Sequence, residues 1–359
     1  MIEDRLQDDP QALAAPNPPV PGILGKFASA VYGKIIDQRN RVFDSGKGVV
    51  TLDRPVISVG NLSVGGTGKT PMVERICRWL LTAGHRPAIA MRGYRATAGR
   101  SDEASLYASA LPETPVVARA DRLSGLLELF ATEAGEAVDC IVLDDGFQHR
   151  RLARQCDIVL VDSTRDPLQD RLLPAGWLRE PVASLARADA VVLTHAECRS
   201  RAAVVALESR LWDLSPRFIT AAVRHRWNSL VQAGTDEELE PATLRGTPYV
   251  LACAIGNPSA FVSEATRVLG AAPRSAMVLR DHDPFAPATV ARLIDLARDS
   301  SAKALVVTEK DWTKLQDVPA DRWPCPIVRP RLELSFDRGE EALRDLVLGR
   351  VAGGVPADE

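Results

Sequence analysis

The sequence predicts an α/β protein with mostly parallel sheets, and three features of the chain carry that prediction. Short apolar runs of strand length recur from Pro55 onward, with helical stretches between several of them. These runs are almost continuously apolar, which is typical of strands buried on both faces of a parallel sheet. The first run enters a glycine-rich loop and then a helical stretch, which is the form of a phosphate-binding loop.

The composition limits the class of protein further. The 359 residues are 46% hydrophobic and 25% charged, with a net charge of −3. At about 150 residues per domain this predicts two domains, and it excludes disordered, collagen-like and disulfide-scaffold chains. The near-neutral charge weighs against a dedicated nucleic-acid binder. No apolar run reaches the roughly 20 residues of a membrane-spanning helix. The six cysteines show no CxxC pattern, so we expect buried free thiols and a cytoplasmic protein.

The N-terminal region divides into two predicted segments. Residues 1–22 are rich in proline and predict a flexible tail. Residues 23–44 predict an amphipathic helix. Its apolar residues near one face are Leu24, Phe27, Val31, Ile35 and Val42, and its basic residues are Lys26, Lys34, Arg39 and Arg41. Two interpretations stay open: a helix packed on the core, or an interfacial helix on anionic lipid.

The remaining elements follow in chain order. The predicted strands of the first α/β unit are Val56–Gly60, Ala88–Met91, Val116–Ala118, Cys140–Leu143, Ile158–Val161 and Ala190–Leu193, and its clearest helices are Thr70–Thr82 and Arg122–Ala134. The segment Arg217–Pro248 breaks the rhythm, because the predicted strand Phe218–Val223 is followed by the polar stretch Thr235–Glu240. We therefore place a boundary there. The predicted elements of a second α/β unit are strands Tyr249–Ile255, Ala276–Leu279 and Ala304–Thr308 and helices Ser259–Leu269 and Ala288–Arg298.

The glycine-rich loop predicts a nucleotide phosphate site. Backbone N–H groups of such a loop curl around phosphate oxygens, and the following helix adds the positive end of its dipole. Lys69 can reach the β- and γ-phosphates, and the Thr70 hydroxyl can hold Mg²⁺. Ser63 stands where the usual motif has its first glycine. The predicted nucleotide-binding residues of the loop are Ser63, Val64, Gly65, Gly66, Thr67, Gly68, Lys69 and Thr70.

Two carboxylates are predicted at the same edge of the sheet. Asp144 and Asp145 come directly after the buried strand Cys140–Leu143, at the end where parallel sheets bind ligands. A metal-binding Asp belongs at this position in phosphoryl-transfer proteins. Adjacent side chains of a strand point to opposite faces, so we expect different roles. Asp144 is the predicted Mg²⁺ ligand, and Asp145 is predicted to assist catalysis.

Seven motifs occur in an order that resembles the tetraacyldisaccharide 4′-kinase family, the lipid A kinases of Gram-negative bacteria. They are the segments 60–71, 92–94, 144–149, 172–181, 256–258, 281–285 and 308–311, and the resemblance spans roughly Tyr32 to Leu348. It implies phosphorylation of the 4′-hydroxyl of a tetraacyldisaccharide 1-phosphate, with ATP and Mg²⁺ as cofactors. It also implies two α/β/α sandwich domains with mostly parallel sheets and a short two-stranded linker.

The resemblance also implies a cellular location and a division into domains. The protein is expected at the cytoplasmic face of the inner membrane, bound peripherally to its anionic surface, as a monomer without a nucleic-acid partner. The expected segments are a flexible tail 1–22, a membrane-interface helix 23–44, a P-loop kinase domain 45–216, a second α/β domain 217–335, and a C-terminal helix and tail 336–359 that packs on the kinase domain.

Further site residues come from matching the family's motifs. Asp102 and His282 match an acidic and a histidine position, and either can accept the proton of the acceptor hydroxyl. Ser101 replaces the family's usual glycine before Asp102. Other matched residues are Arg122, for catalysis and the substrate, Gln148 for the nucleotide, and Arg92 for the substrate, and Tyr94 is a plausible substrate-binding group. Lys69 and Asp145, from the loop and the strand end, complete the predicted catalytic residues. Arg179–Glu180 and Thr308–Asp311 have no assigned chemistry, and each segment is either a structural clasp or a ligand contact.

Three other interpretations stay open. A ParA/MinD-like ATPase shares the Gly-Gly-x-Gly-Lys-Thr loop, but it carries a Lys where this chain has Val64. A GTPase would need a guanine-reading Asn-Lys-x-Asp, and the nearest match, Thr308–Asp311, lacks the Asn. A membrane-associated scaffold that switches shape with nucleotide would hydrolyse it without phosphorylating an acceptor.

Overall fold

The structure is a computed structural model that describes residues 18–93, 102–215, 217–281 and 283–355, without the side chains of Asp102 and Glu103. Its helices are α1 (Gly22–Asp44), α2 (Lys69–Thr82), α3 (Asp102–Ala110), α4 (Arg122–Phe130), α5 (Glu133–Glu136), α6 (Arg201–Trp212), α7 (Pro258–Leu269), α8 (Pro287–Asp299), α9 (Glu309–Leu315) and α10 (Glu340–Ala352).

The strands alternate with these helices along the chain. They are β1 (Val56–Asn61), β2 (Pro87–Met91), β3 (Val116–Ala118), β4 (Cys140–Asp144), β5 (Cys156–Asp162), β6 (Ala190–Thr194), β7 (Ile219–Gln232), β8 (Glu238–Leu239), β9 (Tyr249–Cys253), β10 (Ser275–Val278), β11 (Ala304–Val307) and β12 (Ile327–Arg338).

Hydrogen bonding joins these strands into one mixed, mostly parallel sheet. Their order is β10-β9-β11-β12-β7-β6-β5-β1-β4-β2-β3, and β8 pairs with β7 antiparallel. The loop-bearing strand β1 lies between β4 and β5 and is parallel to both. The predicted α/β class with a mostly parallel sheet is therefore confirmed.

The chain divides into two compact units, with the boundaries inside β7 and β12. The phosphate-loop unit contains described residues 18–224 and 334–355, and the second unit contains residues 225–333. In the phosphate-loop unit, α2 and α10 share one apolar cluster with one face of β1, while α6 belongs to another. In the second unit, alternate residues of β9 and β11 enter two separate clusters, one with α8 and one with α7. Each unit thus buries its strands on both faces.

Most predicted elements are confirmed to within a few residues, and two predictions were wrong. The strand predicted to end at Val223 continues to Gln232. Beyond Val223, His225, Trp227 and Ser229 are buried and the residues between them are exposed, which is the alternation typical of a strand. The helix predicted over Arg122–Ala134 ends at Phe130, and α5 begins at Glu133. The Thr132 hydroxyl accepts a hydrogen bond from the Gly135 N–H at 3.1 Å, which starts α5 as a separate capped turn.

Helix α1 has one buried and one exposed face. Gly25, Gly33 and Ile36 are buried. On the opposite face Leu24 is 72% exposed, Phe27 69% and Ile35 59%. Across the described part of the chain, no helix combines the length and the apolar character needed to cross a bilayer. The six cysteines are free, and all except the half-buried Cys198 are buried.

Candidate active site

The glycine-rich loop connects β1 to α2 and is tied at both ends by one side chain. The amide of the fully buried Asn61 donates to the Ser63 carbonyl at 2.7 Å and to the Thr67 hydroxyl at 3.0 Å. Gly65 and Gly68 have φ angles of 127° and 79°, which favour glycine. Gly68 precedes the first residue of α2, Lys69, so the loop leads directly into the helix N-terminus.

A second segment pairs with this loop. The Val64 N–H donates to the Trp177 carbonyl at 2.8 Å, and the Arg179 N–H donates to the Leu62 carbonyl at 2.7 Å. These backbone bonds hold the first half of the loop in an extended pairing. The segment 177–179 is therefore part of the structural support of the phosphate loop.

The two consecutive carboxylates have different surroundings, as expected from their sequence positions. Asp144 ends β4, is buried, and accepts a hydrogen bond from the Tyr107 hydroxyl at 3.0 Å. Asp145 follows in a left-handed conformation, with φ 52°. One Asp145 oxygen lies 3.6 Å from Lys69 Nζ, and the other lies 2.8 Å from an Arg179 nitrogen.

These cations determine the protonation state of Asp145. Burial by itself raises the pKa of this carboxyl, but the positive charges of Lys69 and Arg179 outweigh it and lower the pKa to about 2. Asp145 is consequently an anion at neutral pH. Lys69, the predicted phosphate ligand, is thus paired with a carboxylate beside the loop.

Arg122 and Gln148 contact the protein framework around this pair. The buried Arg122 guanidinium donates to the carbonyl oxygens of Asp144 and Asp145, at 2.9 and 3.3 Å. The Gln148 amide donates to the Asn61 carbonyl at 2.9 Å and accepts from Arg179 at 3.3 Å. Both residues are predicted to contact ligands, and these contacts hold the backbone beside the two carboxylates and at the end of β1.

The other predicted residues are placed less completely. Thr70 is half-buried at the second position of α2, and Arg92 is exposed just beyond β2. Asp102 begins α3, the helix that carries Tyr107. The Asp102 side chain, Tyr94 and His282 lie outside the described residues.

Glu180 links the loop's supporting segment to helix α1. Its fully buried carboxylate is 2.9 Å from Arg187 and accepts a hydrogen bond from the Asn40 amide at 3.0 Å. The Tyr32 hydroxyl donates to the Arg179 carbonyl at 2.9 Å. Arg179 and Glu180 therefore point to different partners: Arg179 to the Asp145 carboxylate, and Glu180 to α1.

Four features together define a P-loop protein: a parallel strand, a glycine-rich loop, a Lys-Thr pair at the start of the next helix, and carboxylates at the end of the neighbouring strand. The sequence profile of the family described as tetraacyldisaccharide-1-P 4′-kinase matches residues 23–352. The chain belongs to that family, and the resemblance noted from its motifs is confirmed.

Individual relatives agree with this assignment. The chain is 35% identical to a tetraacyldisaccharide 4′-kinase of Chlorobium phaeovibrioides, over 90% of this chain and 98% of the relative. It is 33% identical to one of Chlorobaculum parvum, over 81% and 84%. Among solved structures it is similar to the "apo" form of LpxK from Aquifex aeolicus in complex with ATP, with 30% identity and a TM-score of 0.66, over 90% of this chain and 97% of the other.

Proposed function

We propose that this protein transfers the γ-phosphate of ATP to the 4′-hydroxyl of tetraacyldisaccharide 1-phosphate, a step of lipid A biosynthesis. The observation that carries the proposal is the convergence of Lys69, Asp144 and Asp145 at the glycine-rich loop. Membership of the family supports the choice of acceptor.

The residues present fit a nucleotide with Mg²⁺. The left-handed glycines leave the loop backbone free to approach phosphate oxygens, and Lys69 begins the helix at the loop's end. Thr70 and Asp144 offer the hard oxygen ligands that Mg²⁺ prefers, so these two residues would hold the ion. When bound, the ion neutralises charge on the phosphates.

The proposed transfer is a single displacement. The acceptor 4′-oxygen forms a bond to the γ-phosphorus while the bond to the bridging β–γ oxygen breaks, and ADP leaves. The acceptor proton passes to Asp102, with His282 as the other candidate. Asp102 begins the helix that carries Tyr107, the partner of Asp144, so α3 connects the candidate base with the candidate metal ligand.

The remaining site residues divide between substrate and framework. Arg92 and Tyr94 are proposed to bind the anionic disaccharide, because guanidinium and phenol groups suit phosphate and sugar oxygens. Arg122 is proposed to act in catalysis and substrate binding, and Gln148 to bind the nucleotide. Their protein contacts hold the backbone beside the carboxylates and at the end of β1. Lys69 acts as a cation on the transferred phosphate, and Asp145 assists the metal ion or orients water.

The exposed apolar face of α1 supports a peripheral membrane location for this reaction. A lipid acceptor requires the enzyme at the bilayer, and a helix with an apolar face flanked by Lys34 and Arg41 suits an anionic surface. We propose binding to the cytoplasmic face of the inner membrane as a monomer. We further propose that the two units act as two α/β/α domains joined by β7 and β12.

A phosphate-transfer assay tests the function directly. Purified protein, γ-labelled ATP and tetraacyldisaccharide 1-phosphate should yield labelled lipid, while Lys69→Ala should lower the rate by about 10²–10³-fold or more. Folded protein that binds ATP without labelling the lipid contradicts the proposal. ATP or GTP hydrolysis without acceptor phosphorylation would instead favour a ParA/MinD-like or GTPase switch.

A further inference from the structure

Three family motifs lie in the second unit, and the fold places their described residues at one edge of its sheet. The segments 256–258, 281–285 and 308–311 each follow a strand: β9, β10 and β11 in turn. These strands are parallel neighbours in the order β10-β9-β11. Since the carboxyl ends of adjacent parallel strands meet at the same edge, the described residues of all three motifs lie there.

Asp311 is the buried centre of this edge. It has no solvent exposure, and its Oδ2 accepts hydrogen bonds from the Ala254 N–H at 3.0 Å and the Thr308 hydroxyl at 2.6 Å. Its Oδ1 lies 3.3 Å from Lys314 Nζ. The Thr308 hydroxyl in turn accepts from the Asp311 N–H, which forms the N-cap of α9. One carboxylate therefore ties the end of β9 to the start of α9.

The same network reaches the loop after β10. Lys314 Nζ lies 5.6 Å from the centre of the Phe285 ring, within the range of a cation–π contact. Phe285 is 4% exposed and packs in the apolar cluster that contains Leu315 and Val307. Its φ of 52° is uncommon for an aromatic residue, and its N–H donates to the Asp283 carboxylate at 2.9 Å. The surroundings thus hold this loop in a conformation it would rarely adopt alone.

We propose that Asp311 is a positioning residue for the phosphoryl-transfer reaction. Through Lys314 and Phe285 it holds the backbone of residues 283–285, which directly follows His282 in the chain. This inference rests on the proposed function, in which His282 is a candidate for handling the acceptor's proton. A buried ion pair adds little net stability compared with apolar side chains of similar size. The role of Asp311 therefore lies in fixing the conformation of the loop 283–285.

A double-mutant cycle tests the proposal. Asp311→Asn removes the charge that holds Lys314 and keeps the side-chain volume. We expect kcat to fall about 10- to 100-fold, as for misplacement of a reacting group, with an unchanged KM for ATP. In a His282→Ala background the same substitution should change kcat by less than about twofold, because the group it positions is gone. Lys314→Met, which keeps the stem of the side chain, should act in the same direction with a smaller effect.

Glu264→Gln provides the matched control. Glu264 is also a buried carboxylate of the second unit, paired with Arg267 at 2.8 Å, but it lies on α7 within the helix. Glu264→Gln should leave kcat unchanged, even if urea unfolding shows that it loses as much stability as Asp311→Asn. A wild-type kcat in Asp311→Asn, or an equal loss in both backgrounds of the cycle, overturns the positioning role.

Hydrogen exchange separates this proposal from the proposed function. The Phe285 amide should exchange about tenfold faster in Asp311→Asn than in the wild type, and at the wild-type rate in Glu264→Gln. If the wild-type protein labels no lipid, the kinase assignment fails while this measurement still tests the network. Unchanged exchange at Phe285 in Asp311→Asn contradicts the network itself.

Discussion

Asp145 is the residue whose surroundings bear most directly on the proposed chemistry. Its carboxylate lies between Lys69 and Arg179, whereas the preceding Asp144 is held by Tyr107. Arg179 neutralises part of the charge of Asp145, so the carboxylate attracts Lys69 less strongly than it would without Arg179. This sharing leaves the lysine able to move to a phosphate oxygen when a nucleotide arrives.

Substitution of Arg179 tests this sharing of charge. In Arg179→Gln the carboxylate would bind Lys69 more tightly, and we expect kcat/KM for ATP to fall about 10- to 100-fold. That loss is of the size expected for removing a charged hydrogen bond, about 1.5–3 kcal/mol. Arg171→Gln is the matched control, since Arg171 lies exposed on the same segment. Equal kcat/KM values in steady-state assays of the two variants would refute the role of Arg179.

His149 predicts a specific dependence of stability on pH. Burial and the neighbouring charges of Arg122 and Arg154 lower the pKa of this histidine to about 4. Between that value and its ordinary pKa the unfolded chain binds a proton that the folded protein does not. The contribution of His149 to the free energy of unfolding is therefore highest at neutral pH and decreases as the pH falls toward 4.

Replacement of His149 by Gln should remove this dependence. We expect the free energy of unfolding in urea to fall less steeply between pH 6.5 and 4.5 in His149→Gln than in the wild type. The difference should be about 1 kcal/mol, allowing for solvent screening at a half-buried site. Parallel curves for the two proteins would show that His149 does not carry the effect.

At the scale of elements, helix α1 performs two separate tasks with its two faces. Its inner face is bonded to the segment that supports the phosphate loop: the Ser29 hydroxyl donates to the Leu172 carbonyl at 2.7 Å, and Asn40 donates to Glu180. Its outer face exposes large apolar side chains. The two interpretations left open by the sequence, a packed helix and an interfacial helix, are compatible with these two faces.

Substitutions on the outer face test membrane binding without disturbing the inner face. The triple variant Leu24→Ser, Phe27→Ser, Ile35→Ser should lose most of its flotation with vesicles of phosphatidylethanolamine and phosphatidylglycerol, because apolar burial drives the interfacial binding of such helices. Leu127→Ser with Val205→Ser is the control, since both residues are exposed in the same unit. Flotation of the triple variant at the control's level would exclude an anchoring role for α1.

At the scale of the whole molecule, strand pairing was the feature least accessible from the sequence. Local apolar periodicity predicted most elements within a few residues, because each strand's own side chains report its burial. The continuation of β7 to Gln232 is not predicted by local periodicity, because residues 225–229 alternate between buried and exposed, unlike the continuously apolar central strands. The position of the unit boundaries inside β7 and β12 likewise depends on contacts between distant segments.

The sequence by itself determined the fold class, the phosphate loop and the family, because these depend on residues close together in the chain. The tertiary structure alone decided which groups act on one another. Arg179 meets Asp145 from 34 residues away, and Asn40 meets Glu180 from 140 residues away. Such contacts leave no local periodicity in the sequence, since they arise only when packing of the apolar strands and helices brings separate polar side chains together.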